Sequence, residues 1–343
     1  MAGSTLDLDD VIVLDQLGCS IARQYLEWDT LRANRVAEWN TVQKYVYATD
    51  TRNTANSALL WKNKTTIPKL CQIRDNLYAN YMATLFPKRK WLSWEGNTKK
   101  DQTKGKRRAI EAYMGNVIEQ PEFKDAISRA LLDYIDYGNP FLTLTWKDEQ
   151  IAQDTGFKSG YVGPIPVRIS PVDIVFNPIA NSFASTPKIV RSIITIGELA
   201  NQLESFTTPE YVEETQAAFD YLRKVRETVS QWNGGYKSKN DLLSIAGYTS
   251  YDVYLKSNYV EILTFYGDYY DVFNNKMYKN YVIHVADRHK VLGKRPNPSA
   301  LGKSPVFSCS WRMRPDNLWG MGPLDNLVGM QYRIDHVENL KAD

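Results

Sequence analysis

Gly302-Lys303-Ser304 ends like a phosphate-binding loop, but that motif needs a glycine five residues before Gly302, and Asn297 stands there. Pro305 also removes a backbone donor, so the segment is read as a turn leading into a strand. If one strand ran through His284 and His289, their separation of five would point them to opposite faces, which argues against a shared metal. No carboxylate, Cys or Ser cluster accompanies these residues or His336, so packing or surface roles are expected for all three. Asp133 and Asp136, and Asp268 and Asp271, are spaced like carboxylate pairs. Spacing alone does not build a metal nuclease or a glycosidase, and these acids are expected to be solvated members of helices and turns. Cys19, Cys71 and Cys309 are odd in number and far apart, matching neither a disulfide framework nor a pair of metal-binding knuckles; a reducing compartment is expected. No catalytic, cofactor-binding or metal-ligating residue is assigned, and the chain is read as a non-enzyme.

The densest charge lies between residues 88 and 108, where nine basic residues face only Glu95 and Asp101. Lys88, Arg89, Lys90, Lys99, Lys100, Lys104, Lys106, Arg107 and Arg108 form this candidate patch. Lysine and arginine placed on a nucleic-acid backbone release counterions and tighten binding, and the interleaved Trp91 and Trp94 have the shape to stack on bases. A solvated face, strand packing for the tryptophans, or contact with an acidic protein surface accounts for the same residues.

Several elements must position these groups. Residues 21–47 hold no Gly or Pro, and Ile21, Tyr25, Trp28, Leu31, Val36, Trp39, Val42 and Val46 recur mostly at three- and four-residue steps, which predicts one long amphipathic helix. Residues 49–66, rich in Thr and Asn, read as a connecting loop. A second helix is predicted over 68–85, stopped by Pro87, and a short strand over 91–94. Phe123, Ile127, Leu131, Tyr134 and Ile135 mark a further helix, ended by Gly138-Asn139-Pro140 and feeding a strand over 141–146.

Beyond this point the pattern turns to β, with strands over 167–170, 174–176, 189–196, 260–266, 279–285 and 306–311. The pair 260–266 and 279–285 is joined around Asn274-Asn275. A helix opening at Thr208-Pro209-Glu210 interrupts them and ends near Trp232, and a mobile loop is expected from Gly234-Gly235. The last helix starts at Gly322-Pro323, with Asp325 in its first turn and Leu327, Ile334, Val337 and Leu340 as its apolar series. It reaches Asp343 uncapped, and a terminal carboxylate opposes its dipole, so the natural chain is expected to continue.

With 343 residues and 43% hydrophobic content, the chain is long enough for a substantial core. Its net charge of +3 sets no strong bulk clamp on nucleic acid or membrane. The acidic N-terminus is unlike a secretory signal, and no apolar stretch approaches the roughly 20 residues that a membrane helix needs.

Five phrases, in this order, carry a resemblance. They are Leu131-Leu132-Asp133-Tyr134-Ile135-Asp136-Tyr137-Gly138-Asn139-Pro140, then Ile169-Ser170-Pro171-Val172-Asp173-Ile174-Val175-Phe176-Asn177-Pro178, then Val260-Glu261-Ile262-Leu263-Thr264-Phe265-Tyr266-Gly267-Asp268. The most specific is Asp316-Asn317-Leu318-Trp319-Gly320-Met321-Gly322-Pro323-Leu324-Asp325-Asn326-Leu327, continued by Gly329-Met330-Gln331-Tyr332-Arg333-Ile334-Asp335. Together they resemble the N-terminal portion of the large podovirus-type portal proteins, the head-to-tail connectors of tailed bacteriophages. The resemblance spans about residues 40–343 with gaps, is weak over 207–257, and consists of fold signatures without catalytic motifs.

The resemblance implies an α+β portal wing: a mainly helical part over 1–146 that contains the basic segment, a β-rich part over 147–312 with a helical insertion about 197–232, and from 313 to 343 a helix leading toward the stem. It further implies a homo-oligomeric, dodecameric ring at one capsid vertex of the virion, assembled in the host cytoplasm. Such a ring forms the channel for packaging and ejection of double-stranded DNA. Its expected partners are other copies of itself, the major capsid protein, the terminase large subunit, and neck, adaptor and tail proteins, with no cofactor and no membrane. The basic patch would then face DNA or capsid. Nothing in this sequence matches the clip, tunnel loop or crown, so no channel-lining residue is carried over. The near-neutral charge suits a conduit through which DNA must slide.

Overall fold

The structure is a computed structural model that describes residues 6–7, 14–47, 66–87, 93–96, 98, 104–153, 156–206, 208–231, 236–237, 258–299 and 302–342. In chain order its elements are β1 (Leu6–Asp7), α1 (Gln16–Leu31), α2 (Ala33–Val46), α3 (Lys69–Leu85), α4 (Lys104–Glu119), α5 (Pro121–Asp136), β2 (Phe141–Gln153), β3 (Gly156–Ile169), β4 (Ile174–Phe176) and β5 (Lys188–Thr195). There follow α6 (Ile196–Phe206), α7 (Val212–Gln231), β6 (Tyr236–Lys237), β7 (Tyr259–Asp271), β8 (Lys276–Ala286), β9 (Lys290–Pro296), β10 (Val306–Ser308), β11 (Arg312–Arg314), β12 (Asn317–Met321), a 3-10 turn (Asp325–Leu327) and α8 (Val328–Ala342). The fold is mixed α+β. Its larger sheets are antiparallel, and β1 and β6 form a short parallel pair. The chain divides into two compact units that interleave in sequence: Met1–Arg32 with Asp173–Ser304, and Ala33–Val172 with Pro305–Asp343.

The first unit is built on a five-stranded sheet in the order β4-β5-β7-β8-β9. Alternation along β7 sends Leu263 and Phe265 to one face, where Leu17, Ile21, Tyr25 and Trp28 of α1 pack on them with Ile189, Ile283 and Val285. Val260 and Ile262 take the other face, under Leu199 and Phe206 of α6 and Ala218 and Leu222 of α7. The predicted turn at Asn274-Asn275 joins β7 to β8, with Asn275 at φ 47°. Asp271 is buried at its base and accepts the backbone N–H groups of Phe273 at 3.1 Å and Asn274 at 3.3 Å. Of the two acids expected to be solvated there, Asp268 is exposed, whereas Asp271 is buried as the turn's internal cap.

The predicted single helix over 21–47 is instead two helices. α1 ends at Arg32, whose Nε bonds Asp29 at 2.8 Å and whose Nη1 donates to the Ile174 carbonyl at 2.8 Å, so this side chain ties the helix end to the sheet. The sequence carries the signal in the five-residue step from Leu31 to Val36, which rotates the apolar stripe out of phase. A capping box marks α6: the Thr195 hydroxyl accepts the Glu198 N–H at 3.2 Å while the Glu198 carboxylate accepts the Thr195 N–H at 2.7 Å. α7 starts at Val212, after a turn through Pro209 and Glu210.

The second unit holds a three-stranded sheet, β10-β2-β3, with β11 and β12 as a separate pair. Val42, Tyr45, Val46, Leu70, Ile135 and Leu324 form a core cluster. β2 runs on to Gln153, well beyond the predicted 146, because β3 supplies a partner along its length. Ser93 and Trp94, half of the predicted strand over 91–94, are not in a strand, and Trp91 and Leu92 lie outside the described residues, as do Gly234-Gly235 and residues 49–65. Gly302 lies in a turn at φ 62°, with β10 starting at Val306, as the turn-and-strand reading has it.

Fully buried Glu261 holds Arg288 by two hydrogen bonds, at 2.8 and 3.1 Å. Breaking such a pair strands a charge without water. Glu261→Ala is expected to cost about 3–5 kcal/mol in urea unfolding, and Glu261→Gln, which keeps an acceptor, about half as much.

Candidate functional site

Three of the five phrases that carry the resemblance, 131–140, 316–327 and 329–335, lie in the second unit, whereas 260–268 is strand β7 of the first. α5 ends at Tyr137, whose N–H returns to the Asp133 carbonyl at 2.8 Å, and Gly138 turns the chain at φ 83°. A Cβ on Gly138 would lie 2.6 Å from the backbone of Met321 and Gly322, and one on Gly322 would lie 2.8 Å from the Ile135 carbonyl. Glycine is required because two main chains touch here.

Asn139, nearly fully buried, closes the crossing. Its Oδ1 accepts the Gly320 N–H at 2.6 Å, 181 residues away in sequence, and its Nδ2 donates to Ser310 Oγ at 2.8 Å and the Cys309 carbonyl at 3.3 Å. The Trp311 N–H donates to the Gly138 carbonyl at 3.0 Å. Arg35, from α2, sends Nη2 to the carbonyls of Tyr137 at 3.3 Å and Gly320 at 3.1 Å and ion-pairs with Asp325. Asp325 also accepts the Gly322 N–H at 2.7 Å. Trp39 donates to the Tyr137 carbonyl at 3.2 Å and lies edge-on to Tyr137 and Trp319, each with ring centroids at 5.2 Å. Among the described residues the junction pairs no nucleophile with a base. Asn139, Arg35, Asp325 and Trp39 each bond main-chain groups in it.

α8 departs from this junction with its expected polarity inverted. Gln331, Asp335 and Asn339, at four-residue steps, are buried, whereas Ile334, Val337 and Leu340 of the predicted apolar series are 37%, 45% and 49% exposed and Met330 is 60% exposed. The buried polar stripe captures the start of α3. Gln331 accepts the Leu70 N–H at 3.2 Å, Asp335 accepts the Ile67 N–H at 3.0 Å, and Gln331 donates to Asp335 at 2.8 Å. α3 has no side-chain cap of its own at Pro68, so its orphan donors select the polar face of α8.

Asp133 and Asp136 are not the solvated acids expected from sequence. Both are buried; Asp133 takes a two-pronged contact from Arg168 at 2.6 and 2.7 Å, and Asp136 one from Arg74 at 2.7 and 2.9 Å. Burial pushes the Asp133 carboxyl up to about 6 against the pull of Arg168, and raises Asp136 against that of Arg74. His284 and His289 are buried packing residues of the first unit, as one of the expected roles has it: His284 lies against Phe206, and the Nδ1 of His289 meets the Asp287 carbonyl at 2.7 Å. No group of three or more metal-ligating side chains occurs among the described residues.

Lys88, Arg89, Lys90, Lys99 and Lys100 of the basic patch lie outside the described residues. Lys104 begins α4, and Lys106, Arg107 and Arg108 are exposed in its first turns. Arg107 pairs with Glu111 at 2.9 Å and reaches Ser93 Oγ at 2.9 Å, while Glu111 accepts the Trp94 N–H at 3.1 Å. Neither a protein-family model nor a curated protein matches this chain. Among the described residues no helix is long and apolar enough to cross a membrane.

Gly138→Ala combines a left-handed φ with a backbone clash and is expected to lower stability by more than about 2 kcal/mol in denaturant titration. Asp133 has a folded value above its unfolded one, so the stability it contributes is present below the unfolded value and lost as pH rises through about 6. Between pH 7 and pH 4 wild type is therefore expected to gain up to roughly 3 kcal/mol relative to Asp133→Asn, measured by unfolding both proteins across that range.

Proposed function

We propose that this chain is a structural subunit of a ring-shaped phage portal, forming with its copies the conduit for double-stranded DNA and the platform for terminase, neck and tail proteins at a capsid vertex. The observation that carries this reading is the inverted helix α8. A helix with its polar residues turned inward and Met330, Ile334, Val337 and Leu340 turned outward needs another apolar surface to cover it. In a ring, the neighbouring copy supplies one.

Ring contacts join two different surfaces of the same chain. The second unit also offers a second one: Phe307 of β10 stands opposite Leu142 of β2, and Leu144 and Trp146 follow on the same sheet face, with Phe307, Leu144 and Trp146 46%, 52% and 66% exposed. The resemblance adds the family. Its most specific phrases are spent on the crossing that aims α8, which suits a protein whose work is assembly.

A second reading, a nucleic-acid-binding module, is favoured by α4, whose first turn collects cations and no acid, against the preference of a helix start. It expects salt-sensitive DNA affinity that falls when Lys106 and Arg108 are replaced by Gln.

Native mass spectrometry with negative-stain imaging of the protein at moderate salt tests the first reading. A closed ring with a hole wide enough for duplex DNA is the expected result, reduced to monomers by Ile334→Glu with Val337→Glu. A monomer at every concentration, unchanged by that double substitution, overturns it.

A further inference from the structure

On the α6 side of the five-stranded sheet, β7, β8 and β9 place three hydrogen-bond donors on one face. Thr264 stands opposite His284 and Tyr266 opposite Val282, while Arg295 flanks Val282 from the other side. Tyr266 and Arg295 therefore flank one buried valine from opposite strands, with His284 two residues along.

The imidazole Nδ1 of His284 meets the Thr264 hydroxyl at 3.1 Å. With that hydroxyl donating, the ring proton sits on Nε2, and burial together with the nearby Arg295 charge brings His284 down to about 3, so the ring is neutral at pH 7. His284 Nε2 and Arg295 Nε are buried and have no hydrogen-bond partner among the described residues. Burial lowers Arg295, with Tyr266 opposing, and raises the Tyr266 phenol, with Arg295 opposing, so the guanidinium lies within electrostatic reach of the other two groups. Arg295 forms no ion pair among the described residues, and Lys188, across from Tyr266 on β5, adds a further cation to the row.

We infer that Tyr266, His284 and Arg295 form a binding site for a small oxyanion. Buried Arg288 and Arg226 each face a carboxylate, Glu261 and Asp287, whereas Arg295 faces donors. In the tautomer where the Thr264 hydroxyl donates to Nδ1, a phenol O–H, an imidazole Nε2–H and a guanidinium call for a ligand that only accepts, and its negative charge takes the place of the missing carboxylate. The site belongs to the first unit and is independent of the ring reading.

The probes are inorganic phosphate and acetate, titrated into the 343-residue protein against chloride at fixed ionic strength, with thermal unfolding and the 15N-edited histidine spectrum as readouts. Saturable stabilisation by one of them is expected, accompanied by a shift of the His284 Nε2 resonance; phosphate assigns a tetrahedral ligand and acetate a carboxylate. Arg295→Gln is expected to weaken the apparent affinity at least tenfold, on the order of 1.4 kcal/mol. Tyr266→Phe, which keeps the packing, weakens it several-fold and carries the test if the arginine variant does not fold. No saturable response to either anion, or equal responses from wild type and the variants, as for an adventitious ion only, overturns the site.

Discussion

Backbone that crosses backbone inside a protein must find partners for its N–H and C=O groups, and the second unit meets that demand with Asn139 and Arg35. From the corner between α5 and β2, the Asn139 amide serves the segment after β10 and strand β12 at once. Arg35 collects two further carbonyls and ties them to Asp325. Remove the amide and a main-chain donor is left without water or partner in a place too tight for either. The glycines at 138, 320 and 322 follow from this, since the segments approach closely enough that a Cβ on any of them would meet a neighbouring atom at 2.8 Å or less.

The same rule governs the charges. Glu261, Asp287, Asp133 and Asp136 are all buried, and each faces an arginine. The planar guanidinium satisfies both oxygens of a carboxylate, which a lysine cannot do from one nitrogen. Arg295 departs from this pattern within the same fold.

Much of the architecture was legible in the sequence. The strand 174–176, the helix over 68–85, the corner at 138–140 and the hairpin at 274–275 follow from proline, glycine and alternation, signals that act over a few residues. The break at Arg32 and the inversion of α8 were not legible, because tertiary partners set both. Leu327, Ile334, Val337 and Leu340 have the spacing of a core face, and Gln331, Asp335 and Asn339 have an equally regular one. Choosing between them required knowing that the uncapped start of α3 lies alongside. For the same reason Asp133 and Asp136 read as surface acids, since Arg168 and Arg74 are distant in sequence. Of the residues proposed for the oxyanion site, sequence singled out only His284, with a packing or surface role, because its meeting with Tyr266 and Arg295 depends on the register of three strands.

The interleaving of the two units bears on how the protein is made. Arg32 waits for Ile174, 142 residues downstream, and Asn139 waits for Gly320, 181 residues downstream. At ordinary synthesis rates of about 5–20 residues per second, the waits last roughly 7 to 36 seconds. During that time Leu17, Ile21, Tyr25 and Trp28 have emerged from the ribosome without the strands that bury them. Neither unit can close while its second half is unmade, so folding is largely deferred until after most of the chain is translated, and the nascent polypeptide is a natural client for a chaperone that shields apolar helices.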